Sequence, residues 1–524
     1  MMSGACLNLI GQAPRESLMK TIVKLPILIL LTLSLLLAAA GSGVLPGLQT
    51  AYAETAGVIL AIYPSWTYTG NGQGTRLGSA VSSAGDVNGD GLDDVLVGAE
   101  KYEITQYREG AAFVFYNTGS GLLNFPNWSM GGGQQGAMFG CTVSQLGDVN
   151  ADGFDDIAVG ACDFNLLEGS TVTKSKVGAA FVYYGAQTFA AKTTADWSMI
   201  GDQVDARLGS TVAGVGDLNK DGYTDLIVGA PYYDENSYSN NGKVYLFNGS
   251  ADGLQSEAGW TASAEINAAL FGYSTSSAGD VNGDGWQDVI VGAPRPGTTQ
   301  TPQIGYAHVY YNSASGLAVT PSWSMTNDLE GAWFGASVTG VGDVNRDGFD
   351  DVLIGAPYTK VNIDGLDQPA GCAYLYLGSS NGLMASPAWV SCGKTVGGKF
   401  GASVAPAGDI NQDSFTDFLV GEPFFSINNE KQGAVYLFFG NPGGARTDYY
   451  ERTLGNKADT EFGTSVSMAG FINADDRMDV IVGAPNYKAS GIRPGRVMTY
   501  FSGIQGIPDE EALMFYLPLL MDGN

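Results

Sequence analysis

Seven times along the chain a polar loop separates two apolar stretches in the same order. A run of small residues (GSAVSSAG, GASVTGVG) leads into a loop of Asp, Asn and Gly, and an apolar tetrad such as VLVG follows. Next comes an aromatic run (GAAFVFY, GKVYLFN, GAVYLFF) and then a segment that usually begins with Trp. The tetrad and the aromatic run carry apolar residues at consecutive positions, the pattern of strands buried on both faces rather than on one. No helical period runs through the unit, which excludes the helical solenoids. Each unit therefore reads as four short strands: A of small residues, B the tetrad, C the aromatic run and D the Trp segment.

The loops fix the period. GDVNGDGLDD places its Asp at 86, and related phrases start at Asp148, Asp217, Asp280, Asp343 and Asp409, with a seventh copy, GFINADDRMD, at Phe471. About eight residues before each loop stands Leu or Phe followed by Gly, from Leu77-Gly78 and Phe139-Gly140 to Phe462-Gly463. After strand B the chain writes VGAP or IGAP, ending at Pro231, Pro294, Pro357 and Pro485, with VGAE, VGAC and VGEP as variants. Trp66, Trp128, Trp197, Trp260, Trp323 and Trp389 each lie 11 residues before the next Leu/Phe-Gly. Four-stranded sheets buried on both faces and repeated radially make a β-propeller. The expected fold is all-β, a seven-bladed β-propeller of four-stranded antiparallel blades over residues 54–508. Trp66 has the strand-D offset but no preceding blade, so the N-terminal segment is expected to complete blade 7. Residues 513–520, LMFYLPLL, compete for that place, and 509–524 read as a C-terminal tail or extra strand.

These marks, the FG, the Asp-rich loop and the GAP, are those of FG-GAP repeats. The chain resembles the seven-bladed propeller that heads integrin α subunits, and similar bacterial secreted proteins. The resemblance covers about residues 58–508. It implies calcium in loops of the form D-x-N-x-D-G-x-x-D, with side-chain oxygens from the first, third, fifth and ninth residues and the backbone carbonyl of the seventh. In blade 1 these are Asp86, Asn88, Asp90, Leu92 and Asp94; in blade 2 Asp148, Asn150, Asp152, Phe154 and Asp156; in blade 3 Asp217, Asn219, Asp221, Tyr223 and Asp225. Blade 4 offers Asp280, Asn282, Asp284, Trp286 and Asp288, and blade 5 Asp343, Asn345, Asp347, Phe349 and Asp351. Blade 6 keeps Asp409, Asn411, Asp413, Phe415 and Asp417 but has Ser414 in place of Gly. Blade 7 keeps Asn473, Asp475 and Asp479 without the first Asp. About five to six Ca²⁺ ions follow as the expectation. An EF-hand or dockerin loop would need a ligand at position 12, where blade 1 has Val97. Turns rich in Asp and Asn without any metal are the plainer alternative.

Composition narrows the function. With 25 Lys+Arg against 53 Asp+Glu the net charge is −28, which disfavours nucleic acid and anionic membranes as partners. The apolar run Leu25–Ala40 behind Lys20 and Lys24, with Ala51-Tyr52-Ala53 after it, reads as an export signal over residues 1–53, Met19 offering a second start. At 16 residues the run is shorter than the roughly 20 of a spanning helix, so cleavage is expected rather than anchoring. The expected location is outside the cell, free or at its surface, with no membrane span after cleavage.

Export permits disulfides, and the strand assignment pairs Cys141 with Cys162 and Cys372 with Cys392 at adjacent strand ends; four buried thiols are the alternative. No nucleophile or metalloprotease motif appears, and the chain's one histidine, His308, sits in a strand. The acid pairs Asp93-Asp94, Asp155-Asp156 and Asp350-Asp351 resemble glycosidase carboxylates only superficially, since the second of each pair is the ninth loop residue. No catalytic residue is assigned.

The connections between strands B and C lie opposite the calcium-type loops and carry Tyr102, Phe164, Tyr232, Tyr233, Tyr358, Phe424, Phe425 and Tyr487. These aromatics either form a ligand face or plug the rim. The reading is a secreted, calcium-binding propeller that acts as an adhesion or binding module for an extracellular protein or glycan. A polysaccharide lyase or hydrolase and a purely structural surface protein are the alternatives.

Overall fold

The computed structural model describes residues 64–295 and 304–502, apart from residues 429, 448, 450, 456, 474 and 476. Residues 1–53, expected as an export signal, the LMFYLPLL segment and the tail 509–524 therefore lie outside the described residues. Blade 1 is built from Leu77–Gly85, Asp94–Ala99, Ala111–Phe115 and Trp128–Gly131, hydrogen-bonded in that order as strands A to D. Six of the seven blades repeat this A-B-C-D order around the ring.

The chain's two ends meet in blade 7. Its strands Ser465–Gly470, Asp479–Ala484 and Arg496–Tyr500 take their outer strand from Trp66–Thr69, with Trp66 opposite Thr499. The N-terminal segment thus supplies the strand that the Trp offset called for. The strand removes an open sheet edge and welds the first turn of chain to the last.

All residues of strand B are buried in blades 1, 2, 4, 5, 6 and 7, as expected of a sheet covered on both faces. The leading aromatic of each FG fills the gap between blades: Phe271, Phe334 and Phe462 have no exposed surface. The glycines of FG and GAP are explained together. A Cβ on Gly98, Gly160 or Gly483 in strand B would lie 2.0–2.1 Å from the carbonyl oxygen of Gly140, Gly209 or Gly78, the FG glycine of the next blade. Those FG glycines adopt φ of +79°, +77° and +82°, which a side chain disfavours. Each Trp of strand D donates its indole N–H to a carbonyl in the C–D turn of the following blade, from Trp66 to Leu123 and Trp128 to Lys192 through to Trp389 to Arg446.

The structure adds to the four-strand unit. Short hairpins rise from the B–C connections of blades 2, 5 and 6, at Leu166–Lys174, Lys360–Pro369 and Ser426–Lys431. They pair only within themselves, so strand spacing in the repeat leaves no trace of them. Both disulfides are formed. Cys141–Cys162 spans strands A and B of blade 2 with Cα atoms 6.3 Å apart, and Cys372–Cys392 joins direct partners on strands C and D of blade 5 at 4.0 Å.

Candidate functional site

The seven A–B loops gather at one end of the propeller, and the complete ones share most of their hydrogen bonds. The first Asp caps the turn: Asp148 Oδ1 accepts the N–H of Asp152 and Oδ2 that of Gly153, and Asp217, Asp280, Asp343 and Asp409 repeat the pair. The third-position Asn accepts the fifth N–H and, in blades 2, 3, 5 and 6, donates its amide to the fifth Asp at 2.8–3.0 Å. In blade 1 Asn88 reaches Asp94 instead, at 3.1 Å. The fifth Asp accepts the seventh N–H, as Asp90 does from Leu92.

The ninth Asp does the most. It is fully buried in every blade, at Asp94, Asp156, Asp225, Asp288, Asp351, Asp417 and Asp479. In blades 2 to 7 one oxygen accepts the N–H of the second loop residue, as Val149 donates to Asp156 at 2.8 Å. The other oxygen accepts the N–H of the second residue after strand C, as Gly185 donates to Asp156 at 2.7 Å. Burial pushes these carboxyls up, Asp94, Asp351 and Asp417 to about 8 and Asp225 to about 6, and the negative charges of the fifth and first Asp push further.

Among the described residues no three His, Cys, Asp or Glu side chains are drawn together as a metal cage. The donor set nevertheless fits a hard cation. Each complete loop offers only oxygens, from three carboxylates and an amide, and the acids lie near enough to raise one another. The structure therefore brings the first, third, fifth and ninth residues of blades 1–6 onto one turn each. The seventh loop lacks the first carboxylate, and Phe471 there is 42% exposed.

One feature escaped the sequence reading. The eighth residue, where acidic, is a staple between blades: Asp155 accepts the N–H of Asp86 at 2.9 Å, Asp350 that of Asp280 at 2.8 Å, and Asp93 that of Phe471 at 2.8 Å, the last across the ring closure. The acid pairs are thus one residue for the loop and one for the neighbour. The doubled Asp was the visible signal, but only the ring shows where the first one points.

Ser414, the departure noted in the sixth loop, occupies the sixth-position turn at φ +74° where the other complete loops have Gly at +85° to +93°. A side chain in this region costs of order 1 kcal/mol. Ser414→Gly is expected to stabilise the protein by about 1 kcal/mol, and Gly348→Ala to destabilise it by a similar amount, both read from denaturant midpoints. Equal midpoints for Ser414→Gly and wild type would contradict the strain.

At the opposite end, the aromatics of the B–C connections are half-buried or buried. Tyr487 is 4% exposed under Arg496, 3.7 Å from its ring centroid, and Phe425 is 8% exposed. For these two the burial favours the rim-plugging alternative over the ligand face. Tyr102, Phe164, Tyr232, Tyr233, Tyr358 and Phe424 remain partly accessible. Tyr102 hydrogen-bonds Asn71, Phe164 packs on Phe181, and Tyr232, Tyr233, Tyr358 and Phe424 each carry a Lys or Arg near the ring.

A family model described as FG-GAP repeat matches residues 208–247, 271–310, 334–371 and 400–438, and one described as FG-GAP-like repeat matches residues 86–159. Over these residues the chain carries FG-GAP repeats. The chain is 30% identical to integrin alpha-5 of Xenopus laevis over 246 residues, 46% of the chain and 22% of that relative. It is 32% identical to integrin alpha-8 of Gallus gallus over 218 residues, 41% of the chain and 20% of the relative. It is 37% identical to integrin alpha-3 of Mus musculus over 160 residues, 30% of the chain and 14% of the relative. The match thus spans about a fifth or less of these relatives' length.

One buried acid belongs to neither end's pattern. Glu422 replaces the Ala of GAP in blade 6, has no exposed surface, and receives the Tyr436 hydroxyl on Oε2 at 2.6 Å. Its Oε1 has no hydrogen-bond partner among the described residues. Burial pushes its carboxyl from 4.5 up to about 7, against the lowering by Tyr436 and Arg452. A raised carboxyl favours the fold while protonated, so its contribution is complete below about pH 4.5 and is lost as pH climbs through 7. The loss amounts to about 3 kcal/mol. Glu422→Gln is expected to match wild type near pH 4.5 and to melt higher at pH 7.5, at constant calcium. Parallel curves for the two proteins across this range would contradict it.

Proposed function

We propose that the chain is an extracellular binding or adhesion module whose blades are held by calcium in loops 1 to 6. The observation that carries it is the repeated oxygen-only loop on an integrin-α-like propeller. Asp86, Asn88, Asp90, the Leu92 carbonyl and Asp94 would hold the first ion, and the matching residues of blades 2–6 the others. A calcium ion there offsets the charge of three acids per loop and takes no part in chemistry. Support for export comes from the apolar segment with its A-x-A site. No helix among the described residues is long and apolar enough to cross a membrane.

A binding role is favoured over general-base catalysis by the setting of the chain's one histidine. His308 lies between Tyr306 and Tyr310 with Nδ1 2.6 Å from the Ser324 hydroxyl, and burial lowers it to about 4. Its setting is that of a packed strand residue. The ligand is read as a protein or glycan met at the end opposite the calcium loops. The test pairs a glycan and protein array in 1 mM calcium with a turnover assay on acidic polysaccharides. Saturable, calcium-dependent binding without turnover is expected; depolymerisation by the purified protein would replace this reading with the enzyme.

A further inference from the structure

The seam between blades 6 and 7 differs from the other six. Strand D of blade 6 has Glu451 at the register position that Trp389 holds in blade 5, so no indole N–H crosses to blade 7. A small apolar void of about 10 Å³ lies in this seam between Leu437, Val480 and Tyr500. Above it, at the end opposite the metal-type loops, opens a pocket of about 310 Å³, the lower end of the range for ligand sites.

Three kinds of group line that pocket. Phe424 and Pro423 give an apolar wall, Lys431 and Arg493 give cations, and Asp459, Glu461 and Asn486 give acceptors on the blade 7 side. The acceptors are held in place: Asn486 donates to Glu461 Oε1 at 2.9 Å, Arg76 of blade 1 reaches Glu461 Oε2 at 3.3 Å, and Lys488 and Arg493 lie 3.6 and 3.7 Å from Asp459. Lys431 is exposed, 5.9 Å from the Phe424 ring centroid, and makes no ion pair among the described residues. Lys399 sits 4.6 Å from the same ring, and Lys457 and Arg496 flank Tyr487 close by. In a chain of net charge −28, cations thus collect around this one pocket.

A ligand that satisfies all three kinds of group needs an anionic group for Lys431, hydroxyl donors for Asp459 and Glu461, and a flat C–H face for Phe424. Phosphate or an acidic side chain supplies only the first and would meet two carboxylates with no proton to give them. A neutral sugar leaves the ammonium without an ion partner. We propose that this pocket binds a uronic acid unit of an acidic glycan, bridging blades 6 and 7 where the indole link is missing. The inference deepens the binding-module reading and rests on it.

The test uses the full mature chain in 1 mM calcium with two probes, an oligosaccharide ending in glucuronic acid and the same oligosaccharide ending in glucose. Calorimetric titration is expected to show the acidic probe bound at least tenfold more tightly, the worth of one charge-assisted hydrogen bond. Lys431→Met is expected to remove that preference and Phe424→Leu to weaken both probes, with melting temperatures of the free proteins unchanged. The acidic probe is also expected to raise the melting temperature of wild type but not of Lys431→Met. Equal binding of the two probes, no binding of either, or full preference retained in Lys431→Met would overturn the inference. If preference survives in Lys431→Met, the binding-module reading stands and the site lies elsewhere. If neither probe binds while the array yields another calcium-dependent ligand, the pocket assignment alone falls.

Discussion

Chelating calcium is expected to lower the melting temperature by the largest margin of any single perturbation. Extracellular calcium modules bind with dissociation constants of about 0.1–1 mM. At the tighter limit, 1 mM free calcium stabilises by about 1.4 kcal/mol per site. Five such sites approach the net stability of an ordinary domain. The loops explain why the effect would be large. Position nine is buried beside the acids of positions one and five, and without a cation its ionised form is opposed by burial and by those acids. Calorimetry in calcium and in chelator decides it, since an unchanged melting temperature would contradict the proposed ions. Asp343→Ala is expected to cost one site and leave the rest intact. Asn473→Ala is expected to change calcium binding little, because Phe471 has already replaced the first carboxylate of that loop.

Replacing Trp66 is expected to cost about 3–5 kcal/mol, the usual range for a buried Trp→Ala change. Trp66 is 7% exposed, packs edge-on against Phe115 at 5.1 Å, and donates to the Leu123 carbonyl. Its strand is the outer strand of blade 7, while Phe115 and Leu123 belong to blade 1, so the residue closes the ring twice. Backbone pairing from Trp66 to Thr69 with Thr499 to Arg496 adds the ladder. Arg76 continues the closure by reaching both Glu100 and Glu461. Trp66→Ala should lower the urea midpoint and expose the 64–70 segment to protease before the rest of the ring. A change under 1 kcal/mol would show that the closure strand is dispensable.

Much of this architecture was legible because it repeats. In blades 1 to 6 each sheet joins residues within about 60 positions, so the same spacing recurs and reveals strand order, blade number and, through the unmatched Trp66, the N-terminal closing strand. The disulfides were legible for the same reason: Cys372 and Cys392 are cross-strand partners inside one blade. The ligand-face aromatics were only half legible. Sequence places Tyr487 and Tyr233 at equivalent positions, two after the Pro of GAP, but Arg496 covers the first, while the second stays partly accessible.

The amino-acid sequence by itself determined the all-β repeat, its seven units, the cysteine pairs and the oxygen-rich loops, because each of these is written in local pattern or in constant spacing. Only the tertiary structure decided what passes between blades. It directs Asp155 to the backbone of Asp86, sets the FG glycine carbonyl against the neighbouring GAP glycine, buries Glu422, and leaves the blade 6–7 seam without its indole bond. Those contacts join residues 40 to nearly 400 positions apart, and they depend on how neighbouring sheets face one another around the ring. No periodicity within a strand encodes that angle, so the site that rests on it became visible only once the ring was closed.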